Sequence, residues 1–225
     1  MSFYDDLMAR TADERNSFLA IPLIRDAIQN GASRDLYVDF LSQAYHHVRN
    51  TFPELALAAS LTRDDTFQDA LFEYMEEERG HEKWILDDIR AIAGDAEAVR
   101  IRDGKPGQAC QIMVGYTYYA TQWVSPYAVL GSVHVLEGMS TMLADKAADA
   151  IQKAISSSGK DGFSYLRSHG ALDIEHVELF KGLVNGITDQ NVHDVIVDTS
   201  RIIYRLYGDI FRELAMRHPG RRDAA

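Results

Sequence analysis

His169, Asp173 and His176 form an H-x3-D-x2-H run. On an α-helix, steps of four and three residues return to one face, so two imidazoles and a carboxylate would project from a single stripe. Two nitrogens and an oxygen on successive turns suit a first-row transition metal. About ninety residues upstream, Glu78 and His81 stand three apart in EEERGH, a second ligand pair at helical spacing. Glu77 also lies within one turn of His81, and Glu78 is the favoured carboxylate. A third candidate, Glu137, sits in the mostly apolar stretch VLGSVHVLEGMSTMLA, where a carboxylate needs a reason to be. A buried salt bridge is one such reason, but Lys146 and Lys153 are too far along the helix to supply it. A carboxylate bridging two metal ions is another. Taken together, the residues suggest a two-metal site.

Each group has a plainer reading. The triplet could be a solvated helix face, and a Glu-rich run is usually surface. Phe163, Leu166, Val177, Phe180 and Val184 fill apolar positions near the triplet, which argues that it faces inward. Phe72, Met75, Leu86 and Ile89 sketch a core face near His81. Burying these polar groups uncompensated would be costly, and a metal ion compensates them. His134, one turn before Glu137, fits a supporting or pocket residue better than a ligand. His46 and His47 are adjacent, so at most one faces a common site. Glu54 could face a cavity or solvent. Tyr116, Tyr118, Tyr119, Trp123 and Tyr127 read as core or cavity lining, and Cys110 as a small buried hydrophobe rather than a nucleophile.

The elements that must position these residues are helical. The chain has 225 residues, 46% of them hydrophobic, with only 5 Pro and 15 Gly. Apolar residues recur at three- and four-residue steps, with no useful strand alternation, repeat or heptad. The expected fold is all-α: one domain over residues 1–225, a bundle of about seven helices, with residues 1–16 and 218–225 as frayed tails. The helices are expected over residues 17–29, 33–61 with a bend at Pro53, 66–93, 107–123, 126–156, 163–186 and 189–216. Gly170 allows a break in the sixth. GDAEAVRIRDGKPG reads as a long surface loop and SSSGKDG as a shorter one.

The net charge of −11 argues against nucleic acid or an anionic membrane as partner. A single cysteine excludes a disulfide framework or a thiolate zinc site. The N-terminal sequence has no signal-peptide pattern and no apolar run approaches spanning length, so a cytoplasmic protein is expected.

The motifs EEERGHEKW, the LEG at Glu137 and HGALDIEH at 169–176, in that order, resemble the heme-oxygenase-like di-iron oxidase superfamily, relatives of the TenA thiaminases and of pyrroloquinoline-quinone synthase. The resemblance covers most of the chain, from FLSQAYHHVRNTFPELALAAS onward. It implies a heme-oxygenase-like fold and a metal-ligand set of Glu78, His81, Glu137, His169, Asp173 and His176. A ferritin-like site would need two E-x-x-H motifs, and only one occurs among these candidates. Some family members separate the first Glu and His by two turns, or add a carboxylate near the position of Ala44. True heme oxygenases use a proximal His near the N-terminus, and none precedes His46. Cys110 is not in the context of the TenA catalytic cysteine.

The resemblance further implies two Fe(II) ions, with Mn or a Mn/Fe pair as alternatives, O2 as co-substrate and an external electron donor. The substrate would be small, an amino acid, fatty acid or other carboxylate, undergoing N-oxygenation, C–C cleavage or desaturation. Arg49, Lys83 and Arg167 are the candidates to bind a carboxylate, and a homodimer is expected. The contrasting readings are a metal-free TenA-like binding or regulatory protein and a cofactorless oxidase of the same fold.

Overall fold

In the computed structural model, residues 2–156 and 161–219 are described, except for the side chains of residues 169–176. Eleven helices and no strands are found among the described residues. They are α1 (Phe3–Arg10), α2 (Ala12–Leu19), α3 (Pro22–Asn30), α4 (Arg34–Leu61), α5 (Asp65–Glu78), α6 (His81–Ala93), α7 (Asp95–Asp103), α8 (Gln108–Trp123), α9 (Ala128–Ala154), α10 (Ser164–Gly186) and α11 (Gln190–Arg217).

The long helices α4, α9 and α11 form the frame. α9 packs on α10, α11 and α3, while α4 carries α5, α6 and α8. Their starts follow from short polar side chains that satisfy amide groups the first turn leaves open. Ser33 accepts from the Leu36 amide, Asp64 from Phe67 and Asp189 from Asn191. α4 runs as one helix through Pro53 to Leu61.

The start of α10 is held differently. Asp88, buried on α6, accepts from the backbone N–H of Ser164 at 2.9 Å and of Tyr165 at 2.8 Å, and from the Ser164 hydroxyl at 2.7 Å. A carboxylate on one helix thus caps another. Burial raises the Asp88 pKa while those hydrogen bonds oppose the shift. The helix bearing His169, Asp173 and His176 is thereby tied to the helix that begins at His81.

Four expectations are corrected. Residues 2–16, expected as part of a frayed tail, are helical: α1 is closed by a Ser2–Asp5 capping box and buries Phe3 and Leu7, an i, i+4 pair. The expected helix over 17–29 is two pieces, separated by Ala20 and Ile21 ahead of Pro22. GDAEAVRIRDGKPG is not all loop, because α7 lies between Gly94 and Gly104 and buries Ala98 and Ile101. The expected helix over 66–93 is broken at Arg79–Gly80. The α10 backbone, by contrast, is helical through Gly170. Of the expected C-terminal tail, residues 220–225 lie outside the described residues.

Candidate metal centre and cavity

Glu78 is the last residue of α5 and His81 the first of α6. Gly80, at φ +97°, makes the corner between them, a left-handed conformation that side chains with a Cβ resist. The corner turns two residues of a local motif toward each other. His81 Nδ1 lies 3.3 Å from Glu78 Oε2, with the side chains only 6% and 9% exposed. Two donor atoms at that separation can both reach one ion at metal–ligand distances of about 2.0–2.2 Å. Glu77 is exposed, whereas Glu78 lines an internal cavity, and this difference favours Glu78. Substituting Gly80→Ala is expected to cost about 1–2 kcal/mol, read by urea denaturation.

Glu137 on α9 and Glu54 on α4 line the same cavity as Glu78, together with His47. Buried Tyr74 registers the convergence. Its hydroxyl is held far above its usual pKa, first by burial and then by the negative charges of Glu137, Glu77 and Glu78. Glu54 is 9% exposed, and burial alone raises its carboxyl well above the usual carboxylate range. From its neighbours alone, Glu54 could face either the cavity or solvent. It lies one turn from Thr51 and two from His47 on the face of α4 that lines the cavity.

Of the adjacent histidines, His47 lines the cavity, whereas His46 is buried elsewhere with its pKa lowered by burial and by Arg49. His134 does not line the cavity. It is enclosed by Phe180, Tyr4 and Tyr204 at ring separations of 5.8, 6.3 and 6.2 Å. Cys110 is buried, and its thiol is pushed up to about 12 by burial, which leaves it inert as a nucleophile.

Several other assignments change. Phe72 is 56% exposed and is not part of the core face that Met75, Leu86 and Ile89 form. Tyr119 and Trp123 are exposed. Arg49 lies over the Tyr45 ring, Lys83 is exposed, and Arg167 pairs with Asp149 and Gln152. None of these three bases lines the cavity.

The side chains of His169, Asp173 and His176 lie outside the described residues, so the structure positions only the helix backbone that bears them. Among the described residues no group of three His, Cys, Asp or Glu side chains is gathered closely enough to hold a metal ion by itself. The donor chemistry still fits a cation. Three carboxylates and His47 line one cavity, and oxygen and imidazole donors suit a first-row transition metal.

An all-helical bundle with this helix order has the heme-oxygenase-like fold. A domain of unknown function with a heme-oxygenase-like fold from Shewanella denitrificans superposes with a TM-score of 0.86 at 21% identity, over 99% of this chain and 96% of that one. Heme oxygenase-1 from Synechocystis, solved in complex with heme, gives 0.78 at 12% identity over 96% and 94%. A TenA homologue from Pseudomonas syringae gives 0.77 at 12% identity over 95% and 93%. No curated protein sequence matches. Residues 38–208 match the model of the iron-containing redox enzyme family, and the chain belongs to that family.

Proposed function

We propose that this protein is a non-heme di-iron oxidase that uses O2 to oxidise a small organic substrate held in the cavity. Family membership supports iron and redox chemistry. The observation that carries the di-iron reading is the convergence of Glu54, Glu78 and Glu137 on one cavity, with His81 Nδ1 3.3 Å from Glu78 Oε2.

In this reading Glu78, His81, Glu137, His169, Asp173 and His176 would hold the metal. Bound iron, or manganese in its place, would supply dioxygen activation. The chain's own residues do the rest. The Gly80 corner orients Glu78 and His81, and Asp88 anchors the helix of the triplet. The apolar walls exclude bulk water. Glu54, whose burial favours its protonated form, can hold or pass a proton at the cavity. An external electron donor, a homodimer and a cytoplasmic setting complete the proposal.

Anaerobic Fe(II) loading followed by metal analysis tests it. About two irons per chain are expected, as a two-metal site requires, with a clear loss in His176→Ala. No iron uptake, with His176→Ala behaving like the parent, would leave the metal-free binding protein as the better reading.

A further inference from the structure

Among the described helices, α8 is the one that carries no Asp, Glu, Lys or Arg. The uncharged run is longer than the helix, from Pro106 to Leu136, in a chain whose residues are 25% charged and whose net charge is −11. The inner side of α8 packs on α4, α9 and α11. Its outer side presents Ile112, Tyr119, Trp123 and the adjoining Val124, which are 50, 57, 75 and 56% exposed. A solvated helix face is ordinarily polar and charged, and this one is aromatic and aliphatic with glutamines between.

Gly115 sits in mid-helix on the same exposed side. A Cβ added there would meet nothing within 4 Å, so no contact inside the chain requires a glycine. Glycine weakens a helix interior relative to alanine, and close approach by another backbone is a reason to keep one.

The charge balance indicates what covers this face. Two copies of a chain at −11 repel each other wherever charged faces meet, and they approach at least cost through a face that carries no charge. A basic partner would gain more from the acidic faces of the chain than from α8. The spacing is also self-complementary. Ile112 and Tyr119 are equidistant from the point between Gly115 and Tyr116, and so are Gln108 and Trp123. Tyr119 and Trp123 alone leave on the order of 300 Å² uncovered. With Ile112, Val124 and the glutamines, the face approaches the roughly 800 Å² per partner of a standard interface.

We propose that two copies of this chain pair through α8, antiparallel about a two-fold axis at Gly115. Each Ile112 then packs on the partner's Tyr119, and each Gln108 on the partner's Trp123. The homodimer of the proposed function is thereby given its face. No residue of α8 lines the cavity, so the interface stands apart from the oxidase reading, which iron uptake tests separately.

Sedimentation equilibrium of the full chain tests the pairing. The apparent mass should rise with concentration from 25.3 kDa to twice that value. Added salt should tighten the dimer, because it screens repulsion between the copies and breaks no ion pair at the face. Ile112→Lys and Tyr119→Glu each place an unpaired charge in the contact, twice by symmetry, and each should weaken pairing by roughly a hundredfold or more. Both positions are at least half exposed in the single chain, so the helical circular dichroism of each variant should match the parent's. Mixed in equal amounts, the two variants should pair again. The introduced base and acid then face each other once, and the parental contact forms once. A parent that stays at 25.3 kDa at high micromolar concentration would overturn the inference. So would a dimer that both variants leave intact, or one that salt dissociates. Folded, monomeric variants that fail to pair when mixed would overturn the two-fold register.

Discussion

Glu137→Gln is expected to reduce iron binding from the proposed two ions per chain to one or fewer, with a loss of affinity greater than the roughly 10–100-fold that removing a supporting partner costs. The amide keeps the size and shape of the side chain but can neither carry the charge nor offer two equivalent oxygens to a metal. Glu137 lies on the cavity wall beside Glu78 and Glu54. The amide is close in size and shape to the carboxylate, so the thermal midpoint of the metal-free chain should change little while iron binding falls. Loss of iron without loss of stability separates a ligand from a structural residue, whose replacement would lower both. Glu77→Gln, at an exposed position, should leave stoichiometry unchanged and thereby settle which carboxylate of EEERGH matters. Two irons bound by Glu137→Gln at parental affinity would remove Glu137 from the site.

The fold was readable where it depends on local rules. Ser33 before a long apolar-periodic run and Gly107 before another marked helix starts that the structure reproduces. The ends of α9, α10 and α11 fall within two residues of their expected positions. What escaped was set by tertiary contact. Charge and glycine made residues 95–103 look like loop, yet two small apolar side chains, Ala98 and Ile101, suffice to dock α7. Phe3 and Leu7 alone were too short a pattern to separate a docked helix from a tail, and only their burial against the rest of the bundle decides it.

The site shows the same division. Spacing identified Glu78 with His81, but it implied a continuous helix, whereas the pair is brought together by a corner at Gly80. No local signal says that an i, i+3 pair will be presented across a helix junction, because a Gly inside a helical pattern costs only about 1 kcal/mol. Glu54 was ambiguous for a related reason. Its neighbours Phe52 and Leu55 differ sharply in exposure, 42% against 1%, and the face assigned to Glu54 depends on what packs around α4. Glu137 was legible because its own sequence surroundings are apolar, which made a lone carboxylate conspicuous without any knowledge of its partners.

Acidification should destabilise the chain through His134, by roughly 3 kcal/mol between about pH 6.5 and pH 4. His134 is 5% exposed, and its pKa is pushed down to about 4, first by burial and then by Arg15. The ring sits among Phe180, Tyr4 and Tyr204, and its Nε2 has no hydrogen-bond partner among the described residues. The folded state therefore favours the neutral ring, while the unfolded chain takes up a proton near the ordinary histidine value. Between those two values the unfolded state binds more protons. The stabilisation is complete above the unfolded pKa and is lost as pH falls through the folded one. Buried Glu54 and Asp88, whose pKa values are raised, act with the opposite sign and lose stability as pH rises. His134→Phe keeps an aromatic ring in the cage and removes the titration. The difference between parent and variant in urea-unfolding free energy, followed from pH 7 to pH 4, isolates the histidine. The parent should lose roughly 3 kcal/mol more than the variant over that range. Parallel pH profiles would mean that water or a proton reaches His134 in the folded protein, and that the aromatic cage does not keep the ring neutral.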